Sequence, residues 1–268
     1  STDSQRRIAD PVPLQARRMD NNDEDLTHFG FRRVSRSEKA SRIADVFHSV
    51  ANRYDVMNDL MSLGTHRVMK LMAANATRAR EGHVILDLAG GTGDLTRLLS
   101  DNVGKSGQVC LCDINGSMLQ EGRDRLLNQG ITTNVSYIQA DGEQLPFPAE
   151  SFNSVIIGFG LRNFTSKETA LTAIFECLKP RGKIVILEFS KPGNDLLRNA
   201  YDRFSSLWPK IGKVVTGDEA SYNYLVESIQ MHPDQATLSE MIETAGFNRV
   251  RYQNILNGIV AIHEGIKA

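Results

Sequence analysis

Residues 87–94 read Asp-Leu-Ala-Gly-Gly-Thr-Gly-Asp, and a carboxylate, Asp113, follows 20 positions after Gly93. Glycines at Gly90, Gly91 and Gly93, with Thr92 between them, let the backbone turn sharply and approach a ligand closely. The apolar run Val84–Ala89, interrupted by Asp87, reads as a buried strand, and a helical pattern starts near Asp94 with Leu95, Leu98 and Leu99. The turn therefore feeds a helix N-terminus at the carboxyl edge of a sheet, where open α/β folds bind nucleotide-like ligands. Asp113 closes the strand Gln108–Cys112 and is placed to accept hydrogen bonds from a ribose diol.

Spacing separates two cofactor types. A dinucleotide fingerprint needs G-x-G-x-x-G with a pyrophosphate over the helix N-terminus. Here Gly91-Thr92-Gly93 runs into Asp94-Leu95-Thr96, so the third glycine is missing and an acid stands at the helix start. A cofactor carrying a sulfonium and an ammonium group tolerates Asp87 and Asp94 or profits from them. S-adenosyl-L-methionine fits and NAD fits poorly.

Further along, Asp141 and Gly142 close a third strand, where Asp141 is placed to accept from the exocyclic amine of an adenine and Phe147 offers an apolar face. A fourth strand ends in Gly158-Phe159-Gly160-Leu161-Arg162-Asn163, putting an arginine and an asparagine side by side where a methyl group would point. A guanidinium keeps its charge to above pH ~12 and is no base. It can stabilise a developing phenolate, since a phenol titrates near ~10 and a nearby cation lowers that value. Asn163 can hold the same oxygen or a water. Methyl transfer needs mainly alignment and exclusion of water, worth up to roughly 7–11 kcal/mol, and no metal site is expected. His28, His66, His83 and His263 stand isolated; His48 and His232 are the two weighed as pocket positions.

The elements that must position these groups follow from periodicity. Strands are expected at 84–89, 108–113, 135–140, 153–159, 183–189, 248–255 and 258–265, and helices at 94–102, 116–129, 167–178 and 236–245. Ile43, Val46, Phe47 and Val50 recur at helical spacing after Ser37, a candidate cap, and a second helix is expected at 66–79. Alternation with short connections implies parallel strands and right-handed crossovers. Asn257-Gly258 signals a hairpin that turns the last strand antiparallel. The fold class is thus α/β, a mostly parallel seven-stranded sheet with an antiparallel terminal strand. Residues 1–26, polar and charged, read as a disordered tail, and 27–268 as a single domain. Within it fall an N-terminal helical cap (35–79), a cofactor-binding core (84–190), a helical lid insertion (191–232) and a C-terminal helix and hairpin (233–268).

The 268 residues carry 31 basic and 32 acidic side chains, so no global field points to nucleic acid. No apolar run reaches the ~20 residues a membrane span needs. Three cysteines without metal-ligand spacing suit a reducing cytoplasm.

Several segments outside the glycine turn carry a resemblance. Thr27–Phe31, Val46–Ala51, Tyr54–Ser62, His66-Arg67, Leu145–Pro148, Phe159–Asn163, Leu187–Pro192 and Met231–Gln235, with Asp87–Asp94 and Asp113–Asn115, resemble the UbiE/MenG C-methyltransferases of ubiquinone and menaquinone biosynthesis. The resemblance covers about residues 27–267 and implies the class I methyltransferase fold. It implies S-adenosylmethionine-dependent methylation of a ring carbon in a polyprenylated benzoquinol, a demethylmenaquinol, or both. By position, Thr92, Asp113, Asp141 and Gly142 are implied cofactor contacts, with Gly158 at the edge of the site where the family often has serine or alanine. The other departure is Lys179-Pro180-Arg181-Gly182, where the family usually has two glycines after the proline; a local turn effect is expected. A quinol substrate makes Tyr54, Asp59, Trp208 and Tyr222 candidates for substrate contact, with Asp59, Tyr222 and water open as proton acceptors. Leu207, Trp208 and Ile211 are expected to be exposed on the lid, where they would touch a membrane surface from the cytosol. Other quinone-biosynthesis proteins and a second copy of the chain are open as partners. Three competing readings stay open: a methyltransferase for another small molecule, a cofactor-binding scaffold, and a dehydrogenase.

Overall fold

The computed structural model describes residues 26–50, 64–194, 199, 201, 203–206, 208–215 and 219–268. It opens on a hairpin that periodicity did not reveal: Leu26–Phe29 (β1) and Arg32–Ser35 (β2) pair antiparallel across Gly30-Phe31. Four-residue strands are too short to show a period. Arg36–Val50 (α1) follows directly, and its cap is Ser35 rather than Ser37: Ser35 Oγ accepts the N–H of Glu38 at 3.2 Å. His66–Ala76 (α2) then leads into the sheet.

The core alternates as expected: Val84–Leu88 (β3), Asp94–Val103 (α3), Gln108–Asp113 (β4), Gly116–Asn128 (α4), Val135–Gln139 (β5), Phe152–Gly158 (β6), Lys167–Cys177 (α5) and Leu178–Phe189 (β7). After the insertion, which contains Trp208–Val215 (α6) and Glu219–Met231 (α7), come Gln235–Thr244 (α8), Asn248–Ile255 (β8) and Val260–Ile266 (β9). The sheet order is β5-β4-β3-β6-β7-β9-β8. The first five strands are parallel, and β9 inserts antiparallel between β7 and β8. The Leu256–Gly258 turn makes this possible, with Asn257 at φ 54° and Gly258 at φ 93°.

Strand alternation sorts side chains to two faces. Leu86, Leu88, Val155, Ile157 and Ile186 pack with Leu171 and Ile174 of α5 and with Leu238 and Ile242 of α8. Ile85, Ile156, Val185 and Leu187 pack with Met69 and Ala73 of α2 and with Leu95, Leu99 and Val103 of α3. Each such side chain, once buried, stabilises the fold by ~1.5–3 kcal/mol, which holds the carboxyl ends of β3, β4 and β6 in a fixed row. β7 starts at Leu178, earlier than the apolar run from Lys183 suggested, because Arg181 donates its N–H to Lys267 O at 2.9 Å and so extends the pairing. Arg181 adopts φ 63°, a conformation glycine takes more easily. The three cysteines are free and buried.

Candidate active site

β3 and β4 end side by side, and the glycine turn is tied across them. Gly90 donates its N–H to Cys112 O at 3.2 Å, and Gly93 donates back to Gly90 O at 3.0 Å. A Cβ at Gly90 would lie 2.3 Å from Leu111 Cδ1 and 2.8 Å from the Asp87 carboxyl, so only glycine lets the two strand ends close. Gly93 opens α3 at φ 80°, a left-handed conformation that disfavours other residues. Asp113 receives the N–H of Gly91 on Oδ2 at 2.9 Å and that of Asn115 on Oδ1 at 2.8 Å. Each oxygen keeps a further lone pair. Burial pushes the Asp113 carboxyl up, opposed by those same N–H donors. Asn115 in turn caps α4 by accepting from Ser117 and Met118 at 3.0 and 3.1 Å.

The other two acids of the turn do not face a ligand. Asp87 is fully buried under α3, takes the Thr96 hydroxyl on Oδ2 at 2.7 Å, and is pushed by burial up to about 7. Asp94 pairs with Lys70 at 2.6 Å and with Arg125 at 3.0 Å. Burial alone would raise its carboxyl, but the Lys70 ammonium and Arg125 guanidinium reverse this and hold it below the usual range. The expectation that a cationic cofactor profits from Asp94 is therefore corrected, since two protein cations already offset its charge. Their positions, 24 residues upstream and 31 downstream, carry no periodic signal toward Asp94.

A cavity of about 370 Å³ opens over this floor. Among the expected positions it is lined by Gly91, Asp113, Asp141, Gly142 and Asn163. Leu88, Ile114 and Met118 give it an apolar flank, and Phe159 and Phe164 stand at the end where β6 stops. Asp87, Gly90, Thr92 and Gly93 lie beneath the lining as the turn's support; Thr92 is buried, 3.5 Å from an Arg125 nitrogen. Gly158 is also behind the wall, its Cβ position 2.6 Å from Leu95 Cδ1.

The turn Leu161–Asn163 leaves β6 as one 3₁₀ turn and sends its two polar residues to different places. Arg162 is buried and points away from the lining: its Nη1 pairs with Glu188 Oε1 at 2.9 Å, and its backbone N–H donates to Oε2 at 3.2 Å. The same Nη1 donates to Phe159 O, and the guanidinium lies 5.5 Å from the Phe189 ring centre. Asn163 lines the cavity, and its Oδ1 accepts the Tyr224 hydroxyl at 2.9 Å.

Three more groups close the wall. Glu143 Oε1 accepts the N–H groups of Thr165 and Ser166 at 2.6 and 2.9 Å. Arg36 stands 3.8 Å from the other oxygen. Lys39, buried on α1, donates to Phe164 O at 2.9 Å, and burial lowers its pKa to about 8. Lys39 carried no signal in the sequence, Tyr224 showed only as one of several aromatics in the insertion, and Glu188 stood out only inside Leu187–Pro192.

The lid candidates lie elsewhere. Trp208 and Tyr222 pack with Leu225 and Ile229 into the insertion's own apolar cluster, away from the cavity lining. Trp208 is 3% exposed, which corrects the expectation that it meets a membrane surface; a small apolar cluster needs its largest member inside. Leu207, Tyr54 and Asp59, and the side chain of Ile211, lie outside the described residues. Among the described residues no helix is long and apolar enough to cross a membrane, and no group of histidines, cysteines and acids could hold a metal ion.

The cavity's donor set fits S-adenosylmethionine. Asp113 keeps free acceptor positions for a diol, Asp141 adds an exposed carboxylate at the neighbouring strand end, and the flank beside them is apolar. The volume lies within the ~300–1,000 Å³ typical of small-molecule sites. Comparison with solved structures gives the same fold. A SAM-dependent methyltransferase from Aquifex aeolicus aligns over 70% of this chain and 84% of its own, with TM-score 0.52 and 17% identity. A Haemonchus contortus phosphoethanolamine N-methyltransferase, solved with S-adenosylhomocysteine, aligns over 70% and 49%, with TM-score 0.53 and 15% identity. Much nearer in sequence are proteins named ubiquinone/menaquinone biosynthesis C-methyltransferase UbiE. That of Stutzerimonas stutzeri is 56% identical, and that of Pseudomonas aeruginosa 55%, each over 91% of this chain and 96% of its own. The model of the ubiE/COQ5 methyltransferase family matches residues 34–267, which include the glycine turn, Asp113, the Arg162-Asn163 step and Glu188. With that match, and the sheet and cavity that those residues build, the chain belongs to the ubiE/COQ5 methyltransferase family.

Proposed function

We propose that this chain catalyses S-adenosylmethionine-dependent C-methylation of a polyprenylated benzoquinol, a demethylmenaquinol, or both, in ubiquinone and menaquinone biosynthesis. The observation that carries the reading is one cavity shared by a cofactor floor (Gly91, Asp113, Asp141) and a polar turn at the end of β6 (Asn163), in a chain 55–56% identical to UbiE proteins. The bound cofactor supplies an activated methyl group. Asp113 and Asp141 hold its adenosine end, and the Glu143–Thr165 closure limits water. Asn163 is the group that meets the ring oxygen. Arg162 acts from behind it: paired with Glu188 and donating to Phe159 O, it fixes the Phe159–Asn163 turn that carries Asn163. A ring carbon flanked by that oxygen is nucleophilic enough to need no metal.

The test is transfer of labelled methyl from S-adenosylmethionine to a short-tailed reduced demethylquinol, with the oxidised quinone as control. Label is expected on carbon in the reduced form alone, and Asn163→Ala should slow turnover by roughly 10²-fold, as loss of one donor at a developing oxyanion does. Equal transfer to phenols lacking a prenyl tail would move the reading to another small-molecule methyltransferase. Tight cofactor binding without any transfer would move it to a scaffold.

A further inference from the structure

A carboxamide offers two N–H donors at one end and a carbonyl acceptor at the other. Which end of Asn163 meets a substrate oxygen decides whether the residue favours or opposes negative charge there. Tyr224 bears on that choice. Its hydroxyl donates to Asn163 Oδ1 at 2.9 Å, so the carbonyl end is engaged, while among the described residues the two N–H donors are left over. Asn163 itself lines the cavity. Burial pushes the Tyr224 phenol well above its ordinary value, with the Arg162 guanidinium opposing, so the hydroxyl keeps its proton.

The ring that carries this hydroxyl is held on its other side. Phe29 of β1 stacks on it with centroids 4.3 Å apart and planes 16° from parallel. The hairpin bearing Phe29 is tied to α7 by the Phe31 N–H on Glu227 Oε2 at 3.2 Å. A side chain at Gly30 would collide with Glu227, its Cβ lying 2.0 Å from Oε2, so hairpin and helix are in close contact. Arg42 of α1 lies over the Phe29 ring, its guanidinium carbon 5.6 Å from the ring centre. Hairpin, α1 and α7 thus converge on one hydrogen bond to the cavity wall.

We infer that Tyr224 is a positioning residue for the methyl transfer, holding the Asn163 carboxamide so that its N–H donors serve the ring oxygen that becomes negative. The inference rests on the role proposed above for Asn163. It concerns a residue two positions from Tyr222, which packs into the lid instead.

Tyr224→Phe removes the hydroxyl and keeps the stacked ring. In the full-length protein, with S-adenosylmethionine and a short-tailed reduced demethylquinol, this variant should lower kcat by roughly 10-fold. Quinol KM and the Kd for S-adenosylhomocysteine, read by calorimetry, should change less than ~2-fold. Against an Asn163→Ala background the same change should have no further effect, because the two residues act as one unit. The kcat–pH profile supplies a readout that a merely structural role would not move. Loss of a donor to the anion raises the apparent pKa of the bound ring hydroxyl, so the rising limb should shift to higher pH in Tyr224→Phe. Full kcat and an unshifted limb in Tyr224→Phe, with Asn163→Ala slow, would overturn the positioning role and leave the proposed reaction standing. Additive losses in the double variant would overturn it too. Full activity in Asn163→Ala would overturn the role of Asn163 and this inference together.

Discussion

The two halves of the cavity wall are built by different means. On the floor, Asp113 is held by the backbone N–H groups of Gly91, in the turn after β3, and of Asn115, two residues beyond it. Asn115 is locked by its own helix, and the glycine turn is tied to β4 by main-chain bonds. On the cap, single side chains reach across long separations: Lys39 to Phe164 over 125 residues, Tyr224 to Asn163 over 61, and Phe31 to Glu227 over 196. The floor is thus tied by several short-range bonds, main chain to main chain and main chain to the Asp113 and Asn115 side chains. A cap joined across the chain by such long-range side-chain bonds opens at lower cost than a floor tied within one βαβ unit, the property expected of elements that admit a substrate.

The sharpest way to break this contrast is at Asp113. Asp113→Ala deletes the carboxylate but leaves the main-chain ties, so the fold should survive while affinity for S-adenosylhomocysteine falls by roughly 10- to 100-fold. That is the range of one or two hydrogen bonds to a charged group. Calorimetry beside a melting curve checks both halves; a large drop in Tm would mean that the floor depends on the carboxylate after all.

A smaller effect is expected at Lys39. Lys39→Met keeps the buried stem and removes one hydrogen bond to the cap, so cofactor affinity should weaken by roughly 2- to 10-fold with little change in Tm. Unchanged affinity would show that α1 closes over the site without that bond.

The smallest effect sharpens the comparison from the floor's interior. Asp87 is raised from 3.8 to about 7 by burial, so the fold favours its neutral form. A raised carboxyl stabilises fully below its unfolded value and loses that contribution as pH climbs from about 4 to about 7. Asp87→Asn does not titrate, so its Tm relative to the parent should rise between pH 5 and pH 8. The same difference at both pH values would mean that Asp87 is ionised within the fold, balanced by Lys70.

The sheet was legible because its signals are local. Val84–Leu88, Gln108–Asp113 and Phe152–Gly158 carry their period within a few residues, and each glycine-bearing turn sits beside its strand. The glycine turn with Asp113 was legible for the same reason, since one βαβ unit fixes both. Arg162 and Asn163 were visible as a polar pair at a strand end, but neighbours in a 3₁₀ turn point apart, and the sequence could not say which one faced the cavity. Trp208 looked exposed because an aromatic in a long insertion has no periodic partner to announce its burial.

Taken alone, the sequence determined the fold class, the glycine turn and Asp113 at one sheet edge, and the family resemblance that the 56% identical relative shares. Those follow from short-range periodicity, turn chemistry and the order of residues along the chain. Tertiary structure alone decided that β9 slides between β7 and β8, that Lys70 and Arg125 neutralise Asp94, that Glu188 turns Arg162 from the cavity, and that Tyr224 rather than Tyr222 touches Asn163. Each of these joins groups far apart in the chain. The energy that selects such a pairing comes from burial and charge compensation, which exist only once the sheet has brought the partners together.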